Sequence, residues 1–286
     1  MTEDNASFDA LLPPAMAAKA EQIGIKKAGA DFLTLLVLGI LAGAFVALGA
    51  IFSTAATAGA AASLPYGITR LVFGLCFTVG LILVIVGGAE LFTGNMLIVM
   101  AFASHKVSLE SLLRNWGIVY LGNFIGSIAT AGVMFIGRSN EFGQGAIGLN
   151  MLSIGEAKTS LDFLQAVALG ILCNAVVCLA VWLTYSARTT TDKILAIIPT
   201  IAAFVAAGFE HSVANMYFIP VALFVKYGGS ASFFEAIQKT PADFPHLTWG
   251  GFFISNLLPV TIGNIIGGAV MVGLVYWFIY RRKAHI

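Results

Sequence analysis

Gly88-Ala89-Glu90-Leu91-Phe92-Thr93-Gly94-Asn95 and Gly208-Phe209-Glu210-His211-Ser212-Val213-Ala214-Asn215 decide how this chain is read. Each stretch interrupts an apolar run. Each carries one carboxylate and, five residues on, one asparagine. Residues 71–104 contain no other Asp, Glu, Lys or Arg than Glu90, and residues 194–225 none other than Glu210. A run of 34 residues such as 71–104 would be about 51 Å long as a single helix, against a hydrocarbon core of about 30 Å. Glycine, threonine, serine and asparagine at the interruption are residues that end one helix and start another. Irregular backbone at membrane depth survives only where protein buries it or water reaches it. Both runs are therefore expected to be broken helices, the polar break near the membrane midplane. A strongly tilted helix with a polar patch is the simpler alternative.

The rest of the chain agrees with a membrane setting. Apolar residues are 59% of 286 and charged residues 10%, with mean hydropathy +0.92. That composition belongs to an all-α polytopic membrane protein. A net charge of +1 and no large basic patch argue against nucleic acid as a partner. Six candidate spans lie near 33–52, 71–104, 115–137, 162–184, 194–225 and 249–279. Residues 1–30, with Glu3, Asp4, Asp9, Lys19, Glu21, Lys26 and Lys27, form a polar N-terminal segment without the apolar core of a signal peptide. Residues 31–280 form the membrane domain and 281–286 a short tail. Cys76, Cys173 and Cys178 all lie in apolar runs and are expected to be small packing residues.

The spans repeat. Asp31-Phe32-Leu33 with Leu38-Gly39-Ile40-Leu41 matches Asp162-Phe163-Leu164 with Leu169-Gly170-Ile171-Leu172. The two Glu-to-Asn stretches match each other. Gly122-Asn123, Gly126 and Gly132 match Gly263-Asn264, Gly267 and Gly273. Three spans per copy is an odd number, so the second copy is expected upside down relative to the first, with the breaks meeting at mid-depth. Cationic residues place both termini in the cytoplasm. Lys19, Lys26, Lys27, Lys106, Arg114, Arg188, Lys193, Arg281, Arg282 and Lys283 then lie inside; Arg70, Arg138, Lys158, Lys226 and Lys239 lie outside.

Half-helix starts inside the membrane present unpaired N–H groups and a partial positive charge, a setting that suits an anion. Thr93, Asn95, Ser212 and Asn215 are candidate caps or solute ligands. His211 is the histidine that falls mid-span; its counterpart is Leu91. A hydrogen-bonded core histidine is the bland reading, and proton donation to a weak-acid anion the functional one. Glu90 and Glu210 are expected to accept backbone N–H bonds and hold the breaks. Gly122–Gly126 and Gly263–Gly267 have close-packing spacing, which lets Asn123 and Asn264 reach the breaks. Phe77, Leu81 and Phe204 precede the breaks and suit apolar constrictions.

The two stretches, extended to Met96 and Met216, resemble the two signature loops of the formate/nitrite transporter family. The resemblance covers essentially the whole chain, including Asn123-Phe124-Ile125-Gly126. It implies an aquaporin-like six-span protomer with one pore, a homopentamer in the bacterial inner membrane, and passage of formate and similar small monovalent anions. It implies that Thr93 and His211 form the selectivity site, supported by Asn174 and Asn264, and that Lys158 attracts anions. Phe77, Leu81, Leu91 and Phe204 would line the constrictions, and residues 1–30 would resemble a mobile segment linked to pH-dependent gating. Nitrite or hydrosulfide is the alternative cargo. An aquaglyceroporin-like channel is the alternative of another class, although the Asn-Pro-Ala pair is absent and neither break needs its glutamate there. An ammonium channel would want two pore histidines. An enzyme is not expected, nor any cofactor or metal, because one mid-span histidine and no cysteine pair cannot hold haem or a metal.

Overall fold

The protein was analysed as a computed structural model in which residues 10–282 are described. Glu3, Asp4 and Asp9, together with Lys283 in the tail, lie outside the described residues.

The first helix of the described residues is amphipathic: α1 (Pro13–Ala28), started by Pro13 and Pro14 and ended at Gly29. Met16, Ala20, Gly24 and Ala28 recur every four residues and are buried, with Ala17 beside them, which is the one-faced pattern of a docked helix. Gly24 lies against Ile98 and Ala101. Polar bonds along the segment fix the docking. The Ser186 hydroxyl donates to Leu11 O at 2.9 Å and Lys19 Nζ donates to Tyr185 O at 2.8 Å. Buried Glu21 pairs with Lys106 and with Arg281, whose Nε lies 2.7 Å away. Burial by itself would raise the Glu21 pKa, but the hydrogen bonds and positive charges of Lys106 and Arg281 together outweigh it and hold the carboxyl below its ordinary value.

α2 (Phe32–Ala56) and α7 (Phe163–Ser186) start alike. Asp31 Oδ1 accepts from Thr34 N–H at 3.0 Å, and Asp162 Oδ1 from Gln165 N–H at 2.8 Å, the side-chain cap that carboxylates supply best. α5 (Leu109–Ile136) crosses α2, and the last helix, α11 (Gly251–Tyr280), crosses α7. Both crossings are close. A side chain at Gly126 would strike Ile40 O, and one at Gly267 would strike Ile171 O. α11 carries two wide, π-helical stretches, Gly251–Leu257 and Ile266–Leu274, on either side of Asn264. In chain order, α6 (Ala146–Thr159) lies between the two sets of helices.

Among the described residues, five helices are long and apolar enough to cross a membrane: Phe32–Ala62, Tyr66–Gly87, Leu109–Ile136, Phe163–Ser186 and Gly251–Tyr280. The run 194–225 is not among them, because it is divided. α8 (Thr190–Ala206) and α9 (Ser212–Gly228) are 17 residues each. The run 71–104 is divided too, less evenly. α3 (Tyr66–Gly87) ends at Gly88, and the chain resumes as a 3₁₀ turn, Gly94–Ile98, followed by the short helix α4 (Val99–Ala103). Gly88 and Gly208 both sit at φ +82°, a left-handed conformation that a side chain would resist. α9 is buried along almost its whole length, so the chain after the second break runs through the middle of the protein. α10 (Ala231–Ala236) and residues 241–247 follow it, the latter tied down by Lys226 Nζ, which donates to Phe244 O at 2.7 Å and Leu247 O at 2.8 Å.

Candidate functional site

The two breaks are held by one bonding scheme used twice. At the first, Glu90 N–H donates to Leu38 O at 3.2 Å; at the second, Glu210 N–H donates to Leu169 O at 3.3 Å. Asn123 reaches the first break from α5. Its Oδ1 accepts from Phe92 N–H at 2.9 Å, and its Nδ2 donates to Gly39 O at 2.8 Å and Glu90 O at 2.9 Å. Asn264 reaches the second from α11. Its Oδ1 accepts from Ser212 N–H at 2.9 Å, and its Nδ2 donates to Gly170 O at 2.8 Å and Glu210 O at 3.0 Å. An asparagine is suited to this because one side chain supplies both an acceptor and two donors.

Among the described residues, the glutamate carboxylates are bound by side chains rather than by backbone N–H groups, so their partners differ from the expected ones. Glu90 accepts from Lys27 Nζ at 3.0 Å and from Asn95 Nδ2 at 2.7 Å. Glu210 accepts from Lys158 Nζ at 2.7 Å, Asn215 Nδ2 at 2.7 Å and Asn256 Nδ2 at 3.1 Å. A buried carboxylate with a cation and amides on it is a neutralised brace, so it repels an anion far less than a bare one. Asn115 and Asn256 complete the scheme. Each accepts from the break's asparagine, at 2.9 and 2.7 Å, and each donates to the carbonyl of the lysine, Lys27 O at 2.9 Å and Lys158 O at 2.8 Å.

The caps also differ from expectation. α9 is capped by His211, whose Nδ1 accepts from Ala214 N–H at 3.0 Å. Ser212 and Asn215 do not cap it, and neither Thr93 nor Asn95 caps the turn after the first break. The half-helix dipole is correspondingly one-sided. α9 presents a full α-helical start, whereas the first copy resumes as a 3₁₀ turn.

His211 brings the two breaks together. Its Nε2 lies 2.9 Å from Thr93 Oγ1. Because Nδ1 accepts a backbone N–H, the ring in this arrangement carries its proton on Nε2, which donates to the threonine oxygen. Thr93 O in turn accepts from Asn174 Nδ2 at 3.2 Å and from Cys178 Sγ at 3.3 Å. Asn174 Nδ2 also donates to Asn264 O at 2.7 Å. Asn174 and Asn264 therefore link Thr93 to the second break.

Two vestibules lead toward this pair. One, of about 280 Å³, is lined by Lys19, Lys27, Glu90, Leu91, Tyr185 and Lys193. The other, of about 340 Å³, is lined by Arg70, Phe73, Phe77, Lys158, Glu210 and His211. Between them is a gap of about 10 Å³ walled by Phe77, Leu81, Leu91, Phe204 and His211 together with Val46, Val177 and Ile201. That is no more than the space of one water molecule. Phe77 and Phe204 meet edge-to-face at 6.3 Å, and Phe204 stacks on the His211 ring at 6.1 Å. Apolar residues wall the gap around His211, whose bond to the buried Thr93 lies behind this wall.

Lys158 is placed in the last turn of α6, 16% exposed, with Glu210 at 6%. Sequence reasoning passed over Lys27, Asn115, Asn256 and Arg70. The first three had a signal. Lys27 stands at the α2-to-α7 offset from Lys158, and Asn115 at the α5-to-α11 offset from Asn256. Arg70 had none, because the equivalent position in the second copy is Thr190.

Comparison with known proteins agrees on one family. The family model described as formate/nitrite transporter matches residues 14–278. The chain is 44% identical to the formate channel FocA of Escherichia coli (strain K12) over 99% of both chains. It is 37% identical to a probable formate transporter of Methanothermobacter thermautotrophicus, covering 94% of this chain and 97% of that one. A solved structure described as a pentameric formate channel with formate bound superposes with a TM-score of 0.83 at 45% identity, covering 87% of this chain and 97% of that one. With its membrane-length helices, its twice-used bonding scheme and these likenesses, the chain is a membrane protein that belongs to the formate/nitrite transporter family.

Proposed function

We propose that the protein is a channel for formate and similar small monovalent anions, built as an inverted three-plus-three repeat of aquaporin-like architecture with two broken helices. The observation that carries the reading is the bond to Thr93 made by His211, the polar residue among the described ones that lines the narrowing between two lysine-bearing vestibules. An anion drawn in by Lys158 or Lys27 reaches an apolar narrowing that strips its hydration. There the Nε2–H of His211 and the hydroxyl of Thr93 offer it hydrogen bonds in place of water. The partly positive start of α9 lies beside them.

His211 couples passage to pH in a specific way. A neutral ring with its proton on Nε2 donates a hydrogen bond. To hand over a proton and remain neutral, the ring must first take a second proton, on Nδ1. That lone pair is held by Ala214 N–H, so charging the ring also uncaps α9. Acid therefore changes both the charge of the site and the order of the α9 start.

The same reading assembles the chain as a homopentamer in the bacterial inner membrane with both termini cytoplasmic. Residues 31–280 are the channel domain, and residues 1–30 and 281–286 flank it on the inside. The likeness to a pentameric channel supports the assembly. The test is flux into proteoliposomes with formate, nitrite, hydrosulfide, glycerol and ammonium, each across pH. Formate and nitrite are expected to pass and glycerol and ammonium to be excluded. Passage of glycerol with rejection of formate would overturn the reading.

A further inference from the structure

We infer that Arg70 is a second anion-collecting residue of the vestibule that holds Lys158, and that it works by covering the negative end of α8. The last carbonyls of a helix have no helical partner and carry about half a negative charge. α8 ends at Ala206, at the wall of this vestibule, in the path of an approaching anion. Its late carbonyls are satisfied in turn: Ala203 O accepts from Ala207 N–H at 2.9 Å, Phe204 O from Phe209 N–H at 3.1 Å and Val205 O from Gly208 N–H at 3.1 Å. Ala206 O is reached by Arg70 Nε at 3.3 Å, and Val205 O receives Arg70 Nη2 as well. Gly208, at φ +82°, leaves room for the guanidinium, its Cβ position lying 3.6 Å from Nη2. Among the described residues nothing comparable covers the end of α3, where Val84 O takes the Gly88 and Ala89 N–H groups.

The guanidinium is placed to serve more than the helix end. Nη1 has no hydrogen-bond partner among the described residues, and Arg70 lines the cavity that also holds Lys158 and His211. Both cations rest on one pair of rings: Arg70 over Phe73 at 5.6 Å and Lys158 over Phe218 at 5.5 Å, with Phe73 stacked on Phe218 at 5.8 Å. Phe218 then stacks on Phe77 at 6.2 Å, at the narrowing. The lysine already has Glu210 on it; the arginine has no carboxylate partner among the described residues. Arg70 is therefore the cation of this vestibule whose charge is not cancelled by a paired acid.

This inference rests on the anion-channel reading, and the experiment separates the two. Formate flux is measured in planar bilayers from each side of the membrane, for the native protein, Arg70→Gln and Arg70→Lys, at low and high salt. Arg70→Gln is expected to raise the half-saturating formate concentration about three- to tenfold from one side only, with little change in maximal flux. The difference should shrink at high salt, because an exposed charge acts through a field that salt screens. Arg70→Lys should restore most of the loss. Arg70→Cys, treated in the assembled protein with a cationic or a neutral thiosulfonate, repeats the comparison without refolding, the native protein treated alongside to report reaction at Cys76. The cationic adduct should bind formate better than the neutral one. Equal behaviour of the two adducts, or an Arg70→Gln defect confined to maximal flux and blind to salt, overturns the role of Arg70. Absence of anion flux in the native protein overturns the channel reading instead.

Discussion

The twice-used asparagine brace makes a quantitative demand. Asn123→Ala and Asn264→Ala each delete three buried hydrogen bonds, of 2.8–2.9 Å in the first case and 2.8–3.0 Å in the second. In membrane proteins an interhelical hydrogen bond contributes about 0.6 kcal/mol on average and up to about 1.7. The orphaned backbone N–H, of Phe92 or Ser212, adds a desolvation penalty of about 1–3 kcal/mol. The loss per variant is then about 2–5 kcal/mol. At about 2–4 °C per kcal/mol for a chain of this size, that is a melting shift on the order of 10 °C. The assay is thermal unfolding of the purified oligomer in detergent, followed by size-exclusion. Because the two sets of bonds differ by at most a tenth of an ångström in length, the two variants should fall by similar amounts. A shift under about 2 °C in either one, less than a single kcal/mol, would refute the reasoning that these side chains hold the breaks.

Four further outcomes follow from the same geometry. His211→Asn keeps a good N-cap on α9 while losing the imidazole, so the oligomer should melt normally while formate flux loses its pH dependence; a retained pH profile would remove His211 as the proton carrier. Lys158→Met leaves Glu210 buried without its cation and should destabilise the protein by about 3–5 kcal/mol. Adding Glu210→Gln should recover part of that loss in the same melting assay. Glu21 is held below its ordinary value by Lys106 and Arg281, so the stability it gives α1 is present above the ordinary carboxylate range. It is lost as pH falls through the depressed value, and hydrogen exchange of residues 13–28 should rise only once the pH is below about 4. Thr93→Ala should change the ratio of formate to nitrite flux, and an unchanged ratio would leave Thr93 as packing.

The sequence makes some of this legible for clear physical reasons. Glu90 and Glu210 stand out because a carboxylate is expensive in an apolar run, and Gly88 and Gly208 because a left-handed turn needs them. The glycine pairs of α5 and α11 stand out by their spacing, and they do meet α2 and α7 backbone to backbone. What binds the glutamates was hidden, because Lys27 and Lys158 lie 63 and 52 residues from their partners in segments that look like ordinary polar connections. The offsets that align the spans also align these lysines and the Asn115–Asn256 pair, so the signal was present in the repeat and not in the local pattern. The cap of α9 was hidden for another reason. Serine and asparagine follow the break and are the usual caps, yet the imidazole of His211 takes that bond, a matter of ring orientation that spacing does not encode. Thr93 drew notice as a candidate cap; its place opposite His211 came from family likeness, not from its neighbours.

The central claim is that anions cross the protein through the narrow gap beside His211. Leu91 walls that gap and is 4% exposed, whereas Leu33 points outward at 66%. Formate flux through assembled Leu91→Trp and Leu33→Trp oligomers in proteoliposomes, normalised to the amount of oligomer, tests it directly. Leu91→Trp should bring flux to the level of empty vesicles while Leu33→Trp keeps native flux. Native flux through Leu91→Trp would put the path elsewhere and contradict the account.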